Sequence, residues 1–184
     1  MKYFLLLASL ASSLLGARAQ DQPASKPIVS VGIYGPSANV GLQVEQRLGR
    51  HFSLGAFGIR QLSSDFRGYQ GALVGRYYFR PTAPTGLYVQ ALVGFFNTRA
   101  TVVSYYPGAT SAARSELTAQ GSGGGLGLGY QWRFAQHFTA TLGLGIKAYP
   151  TSLGTCDCAY ERDWHAIGQP GSVLDGQLSI GYAL

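Results

Sequence analysis

Charge is scarce in this chain. Charged residues fill 12% of its 184 positions, where soluble domains carry about a quarter, a deficit that an ordinary hydrated surface does not explain. Acid is scarcer still, with 8 Asp and Glu against 14 Lys and Arg. The basic residues are spread singly along the chain, so nothing tracks a phosphate backbone, and no nucleic acid partner is expected. Beyond the first 20 residues no apolar run approaches the ~20 residues of a spanning helix. Any membrane insertion must therefore use strands. A convincing helical period is also missing from Pro27 onward, which excludes a helical domain.

The first 20 residues, MKYFLLLASLASSLLGARAQ, place Lys2 before an apolar run from Tyr3 to Leu15. Ala17-Arg18-Ala19 follows, the small-x-small pattern of a signal-peptidase site. A signal peptide over residues 1–19 is expected, with Gln20 as the mature N-terminus. A run this short does not cross a bilayer as a helix, and no cysteine stands at the cleavage point, so no acylated lipoprotein is expected. Cleavage removes Lys2 and Arg18 and lowers the formal charge from +6 to +4. Residues 20–26 read as a polar lead-in and 27–184 as one domain.

What the chain has in quantity is glycine and tyrosine, 26 and 12 residues, set in strict alternation. In residues 125–149, Leu126, Leu128, Tyr130, Trp132 and Phe134 oppose Gly125, Gly127, Gly129, Gln131 and Arg133; then Phe138, Ala140, Leu142, Leu144 and Ile146 oppose Thr139, Thr141, Gly143, Gly145 and Lys147. Side chains on a strand point to opposite faces with period two, so this is a hairpin with one apolar face. The same reading predicts eight strands, at 28–34, 38–48, 52–62, 69–80, 87–100, 118–134, 138–149 and 173–184. The third is the weakest, because Phe57 and Ile59 share a face with Ser53 and Gln61. LGRH, PTAPTG and AQH are tight links, whereas 63–68, 101–117 and 150–172 are longer loops. That asymmetry predicts an all-β, eight-stranded, antiparallel up-and-down barrel with a turn end and a loop end.

Two barrels carry such a pattern. A soluble lipocalin-like barrel turns its apolar face inward around an apolar ligand. Glycines at 41, 94, 123, 125, 127, 129, 143, 145 and 181 would then cover its surface, where they pack nothing and weaken strands. Inside a narrow eight-stranded barrel they leave room for larger lumen side chains. The transmembrane orientation is therefore the one expected, apolar face to lipid, since only helices and closed barrels satisfy their backbone there. Aromatics support it: Phe52, Tyr77, Tyr78, Phe79, Tyr88, Tyr130, Trp132, Phe134, Phe138 and Tyr182 gather near the tight turns or the last residues, as a membrane-interface girdle would.

Residues 123–149, together with VGLQVEQRLGRHFSLGAFGI at 40–59, repeat the order strand, basic residue, turn, His-Phe-Ser or His-Phe-Thr, strand. In this they resemble the hairpins of small eight-stranded outer-membrane β-barrel proteins of Gram-negative bacteria, the OmpX and OmpA transmembrane-domain type. The resemblance implies a bacterial outer-membrane, porin-like cell-envelope protein. Its partners would be outer-membrane lipids, lipopolysaccharide and the outer-membrane assembly machinery. It differs in ending on Leu184, where many such chains end in phenylalanine.

Candidate site residues follow from parity. Glu45, Arg47, Arg76, Arg80, Arg133, Lys147 and Asp175 are expected to form an inward charge network, Lys147 with Asp175 and Glu45 with Arg76, because an unpaired charge in a narrow interior is costly. Such a network plugs the lumen in preference to forming an ion path. Cys156 and Cys158 stand in the longest loop and suggest a strained disulfide or two free thiols; binding a metal with Asp157 or His165 lacks further ligands. No cofactor is expected. His51 and His137 read as turn residues. No enzyme is expected either, since His165 with Asp163 or Glu161 has no nucleophile elbow or oxyanion feature. Tyr105, Tyr106, Arg114, Tyr160, Arg162 and Trp164 put aromatics beside arginine in the long loops, as contact surfaces do. The expected protein is a monomer that works structurally or through its loops, by adhesion or partner binding.

Overall fold

The computed structural model describes residues 26–35, 39–62, 66–81, 83–104, 113–149 and 171–184. The expected signal peptide and most of the lead-in lie outside these residues. So do Cys156 and Cys158, the acid–histidine set around His165, and Tyr105, Tyr106, Tyr160, Arg162 and Trp164.

Among the described residues eight strands close into one antiparallel barrel, each strand paired with its neighbours in sequence and the last with the first. They are β1 (Ile28–Tyr34), β2 (Asn39–Arg47), β3 (Phe52–Leu62), β4 (Phe66–Tyr78), β5 (Gly86–Ser104), β6 (Ala113–Phe134), β7 (Phe138–Ala148) and β8 (Leu174–Ala183). Ile28 pairs with Ala183, so both described ends of the chain lie at the turn end, beside the links β2–β3, β4–β5 and β6–β7. The β6–β7 link is tight because Ala135 and Gln136 both adopt positive φ, 48° and 56°, the backbone twist that matches a hairpin.

Alternation fixes the faces. On β4 the burial runs buried and exposed in turn from Ala72 to Tyr78, and the exposed set includes Leu73 and Tyr77. The buried set includes Arg76 and Gln70. This is the reverse of a water-soluble protein: polar inside, apolar outside. Leu126 and Leu144 are 64% and 66% exposed, while the glycines opposite them on the inner face admit bulky neighbours. Gly129 shows how. It pairs with Tyr88 and with Gly143, and a methyl there would run into the Tyr88 hydroxyl and come to 2.5 Å from the Leu142 carbonyl.

Two expectations need correction. The expected loop 101–117 is largely strand: β5 and β6 run on to Ser104 and from Ala113, because their backbones pair with each other beyond the point where β4 and β7 stop. Tyr78 and Tyr88 are not girdle residues, being buried in the lumen. Their parity is that of Arg76 and Gln90, opposite to Tyr77 and Leu87. Phe57 and Ile59 do face inward, as their parity demands. Phe57 is accommodated because the loop-end half of the lumen holds an apolar cluster, with Phe66, Val74, Leu92, Phe96, Ala119 and Tyr149 packed together and Phe57 against them.

Candidate functional site: the lumen network and the outer belt

Toward the turn end one guanidinium and its acceptors occupy the lumen. Arg76 on β4 and Glu45 on β2 are 2% and 3% exposed, and Nη1 donates to Glu45 Oε2 at 2.6 Å. The other donors are used as well. Nε donates to Gln90 Oε1 at 3.1 Å, Nη1 reaches Gln131 Oε1 at 3.3 Å and Nη2 reaches Gln177 Oε1 at 2.8 Å. Gln43, turned with its oxygen toward the guanidinium, accepts from both terminal nitrogens at 3.1 Å. Acceptors from four strands thus converge on one planar fork carried by β4, which suits an arginine because its five donors are fixed in direction. The Tyr88 ring lies 4.6 Å from the guanidinium carbon and covers its face.

Glu45 is satisfied from three sides. Besides Arg76 it accepts from Ser53 Oγ and from the Tyr78 hydroxyl at 2.8 Å, which also stands 2.7 Å from Gln131 Oε1. A buried carboxylate is tolerable only with this kind of partnering. Nearer the loop end, Lys147 Nζ donates to Asp175 Oδ1 at 3.1 Å. Gln70 donates to the Tyr149 hydroxyl at 3.0 Å and Thr98 to Gln61 at 2.9 Å. Polar side chains and the apolar cluster thus share the bore.

Of the seven charges expected in the lumen, the structure brings together Glu45 with Arg76 and Lys147 with Asp175. Arg80 and Arg133 are exposed and are a correction. Parity points both inward, but each lies at or beyond the last inward row of its strand at the turn end, where a charge keeps its water. Arg47 is half-buried and donates through Nε to the Gly49 carbonyl at 2.8 Å, holding the β2–β3 turn. The glutamines 43, 90, 131 and 177 carry most of the guanidinium's hydrogen bonds and were not singled out as site residues. Their inward parity on four strands was the available signal.

The outer face is banded. At the turn end Phe52, Tyr77, Phe79, Tyr130, Trp132, Phe134, Phe138 and Tyr182 are all exposed. They form contact chains: Tyr77 meets Phe52 at 5.1 Å and Phe79 at 5.8 Å, and Phe138 meets Tyr182 at 5.3 Å and Phe134 at 6.0 Å. His51 and His137 are equivalent clamps. Each ring stacks at 5.5 Å on a girdle tyrosine, Tyr77 or Tyr182, and its Nδ1 lies 2.8 or 3.2 Å from the carbonyl of Tyr78 or Ala183. A carbonyl partner makes Nδ1 the protonated nitrogen. Above the girdle the outward positions are mostly Leu, Val, Ala, Ile and Gly, until Arg60, Tyr69, Phe95, Asn97 and Gln120 lead into a row at the loop end that contains Arg67 and Arg99. Of the expected loop contacts only Arg114 falls in a described strand, β6.

The described residues thus form a closed eight-stranded antiparallel barrel with polar and apolar side chains buried in its lumen and an apolar outer belt. Its fold is similar to the N-terminal β-barrel domain of Pseudomonas aeruginosa OprF, at 17% identity and TM-score 0.47, over 89% of this chain and 98% of that one. It is similar too to the Yersinia pestis outer membrane protein Ail in a phospholipid nanodisc, at 12% identity and TM-score 0.45, over 87% and 99%, and to Ail in its crystal structure, at 10% and 0.42. No family model matches the chain, and no curated protein matches it.

Proposed function

We propose that this chain is an integral outer-membrane β-barrel whose plugged lumen makes it a rigid scaffold, with its active surface at the loop end. The observation that carries this reading is the inverted burial: Glu45, Arg76, Gln131 and Lys147 are buried while Leu42, Leu73, Val93, Leu128 and Ile180 are exposed around the barrel. In water that arrangement forfeits the hydrophobic driving force; in lipid it is the stable one.

The dimensions agree. On β4 the eleven residues from Arg67 to Tyr77 make ten steps, about 33 Å along the strand. With strands tilted about 40° this is roughly 25 Å along the axis, the height of the apolar band on outer-membrane barrels. The exported leader at residues 1–19 and a location in the bacterial outer membrane belong to the same proposal. So do contacts with outer-membrane lipids and lipopolysaccharide, assembly by the outer-membrane machinery, and adhesion through Tyr105, Tyr106, Arg114, Tyr160, Arg162 and Trp164. The rival soluble barrel with an apolar ligand needs an apolar lumen, which the guanidinium network occupies.

Fractionation tests it. The protein is expected in the membrane pellet, extracted only by detergent, and its gel migration should shift on heating as a detergent-resistant barrel unfolds. Recovery in the soluble fraction after lysis without detergent overturns the reading. Planar bilayers should record no steady conductance above the bare membrane.

A further inference from the structure

Arg67 on β4 and Arg99 on β5 are direct register partners, and both are exposed. Like charges directly opposite on a strand pair repel. Arg60, exposed on the same outward face of β3, pairs with Tyr69, one row below Arg67. Three cations therefore crowd the upper border of the apolar belt. Nothing described neutralises them: the two ion pairs among the described residues lie in the lumen. In register, the nearest described acid on this face is Glu116, which pairs with Thr101, diagonal to Arg99. Asp65 lies outside the described residues.

Below Arg67 and Arg60 the surface turns apolar and open, while Asn97 stands between Arg99 and Phe95 on β5. Tyr69 and Phe95 are exposed and meet edge to face at 6.3 Å. Gly58 and Gly71 are outward register partners, and a methyl added at Gly58 would have nothing within 4 Å. Beside the cations, Thr118 pairs with Arg99 and Gln120 with Asn97, both exposed and able to hydrogen-bond. A cationic fork over an open apolar lane matches one chemistry: an anionic head on a hydrocarbon tail.

We propose that Arg60, Arg67 and Arg99 bind the phosphate headgroup of an anionic membrane amphiphile, with a chain of that lipid lying past Tyr69 and Phe95 over Gly58. Guanidinium forks bind phosphate oxygens in pairs, and the bound anion cancels the repulsion between Arg67 and Arg99. A lipid fits better than a soluble anion, because the three side chains face outward at the edge of the belt. The proposal rests on the membrane-spanning reading above.

The full chain, refolded into phosphatidylcholine vesicles with and without a small fraction of phosphatidic acid, provides the test. Lipid retained on the barrel is read by native mass spectrometry after gentle detergent extraction, and unfolding by heat-modifiable migration. The parent chain and an Arg80→Gln/Arg133→Gln control at the opposite end should both retain phosphatidic acid over phosphatidylcholine. Arg67→Gln/Arg99→Gln should lose about tenfold or more of that preference. The unfolding temperatures should cross over: in phosphatidylcholine alone the Arg67→Gln/Arg99→Gln chain is at least as stable as the parent, and with phosphatidic acid it is less stable. Unchanged retention in that variant overturns the proposal. So does displacement of the lipid by inorganic phosphate or polyglutamate at equal concentration, which would mark a site for soluble anions or acidic protein. Insertion into phosphatidylcholine without any phosphate preference sinks this site and leaves the membrane reading standing; failure to insert sinks both.

Discussion

Arg76 Nη1 and Glu45 Oε2 lie 2.6 Å apart in a lumen where neither side chain is more than 3% exposed. Removing one partner strands a charge. Glu45→Leu alone or Arg76→Met alone should each cost about 3–5 kcal/mol, because the survivor is left buried and uncompensated. The double variant should recover most of that loss, since two apolar side chains of similar size remove both desolvation penalties. Urea unfolding of refolded barrels, followed by heat-modifiable migration, measures all three. Additive losses in the double variant would mean that the two groups are not coupled.

Tyr78 and Tyr88 touch, with ring centroids 5.5 Å apart, yet their hydroxyls differ. Tyr78 donates to Glu45 at 2.8 Å, while the Tyr88 oxygen is buried with no protein partner. Tyr78→Phe should therefore destabilise the barrel by about 1–3 kcal/mol, and Tyr88→Phe should be neutral or mildly stabilising. The comparison uses the same unfolding assay, and a large loss from Tyr88→Phe would reveal an ordered water on that hydroxyl.

Two glycines of β4 and β6 separate space-making from mere tolerance. At Gly129 an added methyl meets Tyr88 and the Leu142 carbonyl; at Gly75, on the outer face, it meets nothing within 4 Å. Gly129→Ala should cost about 1–3 kcal/mol through overpacking. Gly75→Ala should hold or raise stability by up to about 1 kcal/mol, by stiffening the unfolded chain. Equal effects at the two sites would show that the lumen does not depend on a missing side chain at 129.

The barrel and its strand order were legible in the sequence because period-two alternation survives on nearly every strand, and Leu126 to Phe134 and Phe138 to Ile146 announce a hairpin without any tertiary knowledge. Height along the barrel was not legible. Arg76 and Arg80 share parity, but only Arg76 sits where the wall encloses it, and the sequence gives no mark for where the rim falls. The same gap hid the true length of β5 and β6. Residues such as Thr101 and Ser115 carry no apolar rhythm once the strands pass the belt, although their backbones still pair. The glutamine shell was half legible: parity sends Gln43, Gln131 and Gln177 inward, but their convergence on one guanidinium depends on the register between strands far apart in the chain.

Leu144 is the sharpest probe of which solvent the outer face meets. It is 66% exposed, pairs with Leu128 on β6 and stands well away from both the girdle and the arginine row. An arginine near the midplane of a lipid-facing belt costs about 2–4 kcal/mol, falling to about 0–1 near the interfaces. Leu144→Arg should therefore lower the yield and stability of the barrel refolded in vesicles, and Phe138→Arg at the girdle should do so far less. In a water-soluble barrel the order reverses. Arginine at 144 would then relieve an exposed apolar patch and leave stability unchanged, while Phe138→Arg would break the contacts with Phe134 and Tyr182 and cost more. The ranking of the two variants, measured side by side in phosphatidylcholine vesicles, decides between these orders even if both lose some stability.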